Sequence, residues 1–138
     1  MVTRLVGILQ EIVNDPQYAP KPDGTTFCNY AVADTGTKLG IHTFSRSQTA
    51  NDMYAYAKST LRKLTGEQAA ELAKEGRWVV AAQNAVGHGH INSVYPADMQ
   101  HSNSWGHDVP MAANVGHKNG IMKESQSFHT EPEYYLVS

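Results

Sequence analysis

The 138-residue sequence has one cysteine, Cys28, little excess of either charge and no long apolar run. One thiol cannot close an internal disulfide, and it also excludes zinc sites built on paired cysteines. A formal net charge of -2 with scattered Lys and Arg excludes the basic footprint of a general nucleic-acid binder. No polyanion or lipid patch is visible either. No apolar stretch approaches the roughly 20 residues that span a bilayer. The N-terminal MVTRLVGILQEIVND lacks the unbroken apolar core and small-residue cleavage site of a signal peptide, so the expectation is cytoplasmic synthesis without one. Internal repeats and low-complexity segments are absent as well.

What is present fits a single domain over 1–138, with 41% hydrophobic and 17% charged residues. Leu5, Ile8, Leu9, Ile12 and Val13 recur at helical spacing and predict a helix over 3–14. Residues 16–24, PQYAPKPDG, read as a loop. Thr25 or Thr26 then caps a second helix from Phe27 to about Thr35, with Gly36 as its stop and 35–47 mostly loop. Met53, Tyr54, Ala57, Leu61 and Leu64 share one face of a third helix over 49–64. Thr65-Gly66-Glu67-Gln68 is a capping box for a fourth, ending at Gly76. The segments 77–84, 90–96, 109–116 and 133–138 are short, β-rich and separated by Gly, Asn, Pro and His. Helices followed by a strand meander predict an α+β fold, with the helices on one side of a small antiparallel sheet.

Two segments carry candidate chemistry. Cys28 lies one or two residues into the second predicted helix, where partial positive charge and free N–H groups favour a thiolate. The alternative is a buried cysteine packed like alanine. In VGHGHINSVYP, Gly87 and Gly89 form a tight turn that presents His88 and His90 near the start of a strand. His90 suits a general base, and His88 an exposed turn position. A base also needs a third group to fix its tautomer. Asn114, within MAANVG on a neighbouring strand, is favoured over Asn119, a turn residue, and Asp108, a loop or cap residue. A metal site using His88, His90 and His107, with His101 or Asp108 as further ligands, is the competing reading of the same histidines.

The order of Thr26-Phe27-Cys28-Asn29 at a helix start, Gly89-His90-Ile91 opening a strand and Asn114-Val115-Gly116 on the next resembles the papain-like NlpC/P60 and CHAP families of cell-wall peptidases and amidases. Asn119-Gly120, Ser127-Phe128 and Tyr134-Tyr135 continue the likeness, which runs from about Thr25 to the C-terminus. The arrangement is also similar to single-domain phage lysins and to the amidase effectors of type VI secretion. The resemblance implies a papain-like fold with N-terminal helices on a small antiparallel sheet. It implies hydrolysis of a peptidoglycan amide through an acyl-enzyme, with Cys28 as nucleophile, His90 as base and Asn114 as orienting residue. Asn29, Tyr30, His88 and Trp105, with Tyr95, are the expected oxyanion and substrate residues, and no cofactor or metal is required. The partner is peptidoglycan, reached after release or secretion, and an immunity or inhibitor protein could plug the groove of a monomer. A non-catalytic binding or virion structural domain of the same shape is the main alternative. The catalytic reading demands that Cys28 face His90, with Asn114 behind the imidazole.

Overall fold

The computed structural model describes residues 2–138. Helix α1, Val2–Asn14, buries Leu5, Leu9, Ile12 and Val13 along its apolar stripe. Within the expected loop, Pro16–Tyr18 form one 3-10 turn, started by the Asp15 carboxylate accepting from the Gln17 N–H at 3.0 Å. Helix α2, Cys28–Leu39, begins after Phe27, and no side chain caps it, so neither Thr25 nor Thr26 plays the expected role. It also runs through Gly36 and stops at Gly40, whose φ of 75° suits glycine. Gly36 answers a packing need instead: a Cβ there would stand 2.4 Å from the Ile41 carbonyl oxygen and 3.0 Å from the Trp78 ring.

Helix α3, Ala50–Thr60, opens on a capping box between Thr49 and Asp52. It ends earlier than expected because Leu61 is extended (ψ 158°) and Arg62–Leu64 leave as strand β1. Helix α4, Gly66–Lys74, has the expected box, with Thr65 and Gln68 satisfying each other's backbone N–H groups. The remaining strands are β2 (Val79–Gln83), β3 (His90–Ser102), β4 (His107–Asn114), β5 (Gly120–Lys123) and β6 (Glu133–Leu136), with a single helical turn α5 at Glu124–Ser127. They form one antiparallel sheet in the order β1-β6-β2-β3-β4-β5. β3 outruns the expected 90–96 because a register shift between Tyr95 and Gln100 carries pairing with β4 past Pro96. Asp108 lies in β4 rather than in a loop.

The expectation that helices cover one side of the sheet is corrected. Val80, Ala82 and Ile91 pack with Trp78 and Tyr135 against Cys28, Val32, Met53 and Ala57 of α2 and α3. Their neighbours Val79, Ala81 and Val94 face the other way and meet Ala69 and Ala73 of α4, with Phe128 and Tyr134. Alternation along β2 explains this, since Val79-Val80-Ala81-Ala82 is apolar on both faces and needs cover on both. α1 packs with Ala31, Ala113 and Val115 at the β4 end. The class is α+β. Among the described residues, no helix is long and apolar enough to cross a membrane.

Candidate active site

Strand register builds the polar half of the site. Ser93 pairs with Ala113, so alternation turns Asn92 and Asn114 to the same face, opposite the face that carries Ile91 and Ser93. His90, two residues before Asn92, shares that face at the strand's first position. Its Nε2 lies 2.7 Å from Asn114 Oδ1. The Asn114 amide is fixed by its other end, because Nδ2 donates to the Lys118 carbonyl at 2.8 Å. Oδ1 must therefore face the ring, and His90 must carry its proton on Nε2 to donate to it. Among the described residues nothing else hydrogen-bonds the imidazole, which leaves Nδ1 with its lone pair free to act as a base.

Two neighbours close on the ring from other sides, and a third contact, at a glycine, fixes the turn before it. Phe128 packs against it with centroids 4.9 Å apart. A Cβ at Gly116 would stand 3.1 Å from His90 Cε1, and one at Gly89 would fall 2.1 Å from Asn51 Oδ1 and 2.7 Å from the Gln83 carbonyl oxygen. Both glycines are thus needed for close approach. Asn51, on α3, clamps the turn before His90 by donating to the Ala85 carbonyl at 2.8 Å and accepting from the Ala85 N–H at 3.2 Å.

Cys28 is the first residue of α2 and only 2% exposed. Burial pushes its thiol up, and the nearby backbone N–H groups of Ile91, Asn29 and Cys28 itself oppose that shift without cancelling it. Burial likewise lowers His90; the Asn114 bond opposes this, while His88 and His117 add to it. Both directions favour a resting pair of neutral thiol and neutral imidazole. The sulfur lies beside the backbone of Ile91, the residue after His90, and among the described residues no hydrogen bond joins it to the ring. Cys28 lines a small void of about 10 Å³ with Ile91, Asn92 and Ala31. His90 instead lines an open groove of about 600 Å³ with Thr26, Asn114, His117 and Lys118. The start of α2 and the start of β3 therefore meet at one end of the sheet, with Thr26 and His90 on a common wall.

The other expected residues distribute unevenly. His88 is exposed on the turn and lines the groove. Asn29 turns its side chain away, donating to the Gln48 carbonyl at 2.9 Å, while its backbone N–H stays beside the sulfur. Tyr30 is not at the groove: Arg46 stacks on it at 4.6 Å and Phe27 packs at 5.7 Å. Trp105 does not line the groove itself; it donates to the carbonyl of His129, a groove residue, at 3.2 Å and packs against the cluster that contains Phe128. Tyr95 accepts from Gln10 at 2.9 Å, away from the groove. Asn119 serves its turn, accepting from Gly116 and donating to the Tyr18 carbonyl, both at 2.8 Å. Asp108 lies near exposed His101, remote from His90.

The competing metal set does not assemble. His90 is engaged by Asn114, while His107 is bound to Glu131 and to the Asp108 carbonyl. Among the described residues, no three His, Cys, Asp or Glu side chains are grouped to hold a metal ion. Sequence reasoning missed two residues behind the pair. Asn92 Nδ2 donates to Asn114 Oδ1 at 3.0 Å and to Glu124 Oε1 at 2.9 Å, and both residues are buried. The polar pair Asn92-Ser93 directly after His90-Ile91, where a buried strand would be apolar, was the available signal for Asn92. Glu124 gave none, sitting in the polar run Lys123-Glu124-Ser125-Gln126. No protein-family model matches the chain, and no curated protein is significantly similar to it.

Proposed function

We propose that the protein is a cysteine amidase or peptidase of papain-like design that cleaves an amide bond in peptidoglycan. The observation that carries this reading is the 2.7 Å contact between His90 Nε2 and an Asn114 whose amide cannot turn over. It leaves Nδ1 as the basic nitrogen at the end of the sheet where Cys28 opens α2. The family resemblance supplies the substrate class, and the groove of about 600 Å³ beside His90 supports a site for an extended ligand.

In the proposed reaction, Cys28 turns toward His90 and gives its proton to Nδ1 as sulfur attacks the amide carbonyl. The backbone N–H groups at the start of α2 stabilise the tetrahedral oxyanion. Collapse breaks the C–N bond, and imidazolium returns the proton to the leaving amine. Water then attacks the thioester while His90 takes its proton, the C–S bond breaks and the thiol is restored. A second reading, a non-catalytic wall-binding domain of the same shape, is favoured by one observation: the Cys28 thiol is almost fully buried.

Digestion of purified sacculi followed by mass spectrometry of the muropeptides separates the two. The proposal expects a new amine and carboxylate at one bond, lost in Cys28→Ala and His90→Ala and insensitive to a chelator. Wall binding with no cleavage under reducing conditions across pH would refute it in favour of the second reading.

A further inference from the structure

Behind Asn114 the polar chain continues inward to a carboxyl group with no exposure at all. Glu124 is 0% exposed, on the single turn α5, and its Oε1 accepts from Asn92 Nδ2. The same Asn92 nitrogen donates to Asn114 Oδ1, which also receives His90. The two protons of one amide nitrogen thus bridge Glu124 and Asn114. Asn92 Oδ1 and Glu124 Oε2 have no hydrogen-bond partner among the described residues. That asymmetry is informative: without an acceptor at Glu124, nothing on the carboxyl side decides which end of the Asn92 amide faces Asn114. With Oδ1 turned toward Asn114 Oδ1, two acceptors would oppose each other and push the Asn114 oxygen away from His90.

We propose that Glu124 is a positioning residue for His90, acting through Asn92 and Asn114. It fixes the orientation of Asn92, which holds the Asn114 acceptor in place and so keeps the His90 proton on Nε2. The inference rests on the reading of Cys28, His90 and Asn114 as one reactive site. The carboxyl acts as an acceptor, not as a charge. Burial keeps it largely protonated at neutral pH, and Oε1 can accept from Asn92 in either state. Among other titratable groups, Tyr134 interacts with Glu124 through space, Lys123 precedes it in sequence with its amine on the His101 carbonyl, and His90 stands at the far end of the polar chain.

The test uses Glu124→Gln, Glu124→Leu and Asn92→Ala in the full chain, with His90→Ala as control. Two readouts are taken: the rate of Cys28 alkylation by iodoacetamide at pH 7, and the His90 tautomer from long-range proton–nitrogen spectra. Glu124→Gln keeps an acceptor and should stay within about twofold of the wild-type rate with Nε2–H retained. Glu124→Leu should fall about tenfold, the rate equivalent of one lost hydrogen bond, with the tautomer mixed. Asn92→Ala should fall equally, and Glu124→Leu combined with Asn92→Ala no further. If Glu124→Leu does not fold, Asn92→Ala against Glu124→Gln decides the matter by the same criteria. Wild-type rate and tautomer in folded Glu124→Leu or in Asn92→Ala overturn the inference. His90→Ala alkylating as fast as wild type would instead overturn the reading of the site on which it rests.

Discussion

Replacing Glu124 with Gln should stabilise the protein at neutral pH and destabilise it in acid, with the two stability curves crossing between. The carboxyl has an ordinary value of 4.5, and burial pushes it up to about 8, opposed only by the Asn92 hydrogen bond. Below pH 4.5 folded and unfolded chains both hold the proton, so no pH-linked cost exists. Between 4.5 and 8 the unfolded chain releases the proton while the folded one keeps it, and stability falls as pH rises. Above 8 the cost is constant. At pH 7 the gap of two and a half units, at about 1.36 kcal/mol each, is roughly 3 kcal/mol. Glutamine cannot ionise and removes that cost, but its amide N–H groups enter a site where Oε2 already lacks a partner. An unmet buried donor costs about 1–2 kcal/mol. The expected balance is a gain of about 1–2 kcal/mol at pH 7 and a loss of similar size below pH 4.5. Equilibrium urea unfolding from pH 4 to 8.5, followed by the fluorescence of buried Trp78, measures it. Parallel curves for the two proteins, with no crossing, would refute the argument.

Three further outcomes are expected. Asn114→Ala removes the acceptor of both His90 and Asn92 and should cost about 2–4 kcal/mol in stability and slow wall hydrolysis about a hundredfold, measured by urea unfolding and muropeptide release. Because burial raises the Cys28 thiol and lowers His90, iodoacetamide should alkylate Cys28 at a rate that climbs with pH into the alkaline range. A rate plateau on the acid side of neutrality would instead reveal a resting thiolate–imidazolium pair. Gly89→Ala forces a methyl into the Asn51 clamp and should lower stability by about 2–4 kcal/mol in thermal unfolding, with slower Cys28 alkylation.

Local signals in the sequence placed several elements well. The stripe Leu5-Leu9-Ile12 marks α1, and the reciprocal Thr65–Gln68 box marks the start of α4, because each depends on residues within one or two turns. The Asn114–His90 contact was legible for a related reason, since both residues sit in strands whose pairing brings them to one face. Gly36 misled because a glycine inside a helix and a glycine ending one look alike until Ile41 and Trp78 close on it. β1, β5 and α5 are three or four residues long, too short to carry a period, and they exist only through their partners. The two-sided sheet was readable in principle from the unbroken Val79-Val80-Ala81-Ala82 run, which alternation toward a single core would not produce. Glu124 was not readable at all: its neighbours in sequence are polar, and its burial comes from elsewhere in the chain.

The strand order has a consequence for how this protein meets its own copies. A sheet ends in two rows of unsatisfied backbone groups that can template pairing with another chain. Here the outermost strands are β1, three residues long, and β5, four residues long. β1 presents exposed Arg62 and Lys63 close together, with Lys63 within 3.7 Å of Glu133 on the next strand in, and β5 ends in Lys123, whose amine caps the His101 carbonyl at 3.0 Å. An incoming strand would find only a few residues to pair with, and at β1 a second copy would bring cation against cation. The apolar strand β2, most prone to cross-chain stacking if bared, lies inside the sheet between β6 and the start of β3. Short, charged outer strands thereby limit edge-to-edge pairing between copies of the chain, while the groove beside His90 stays uncovered.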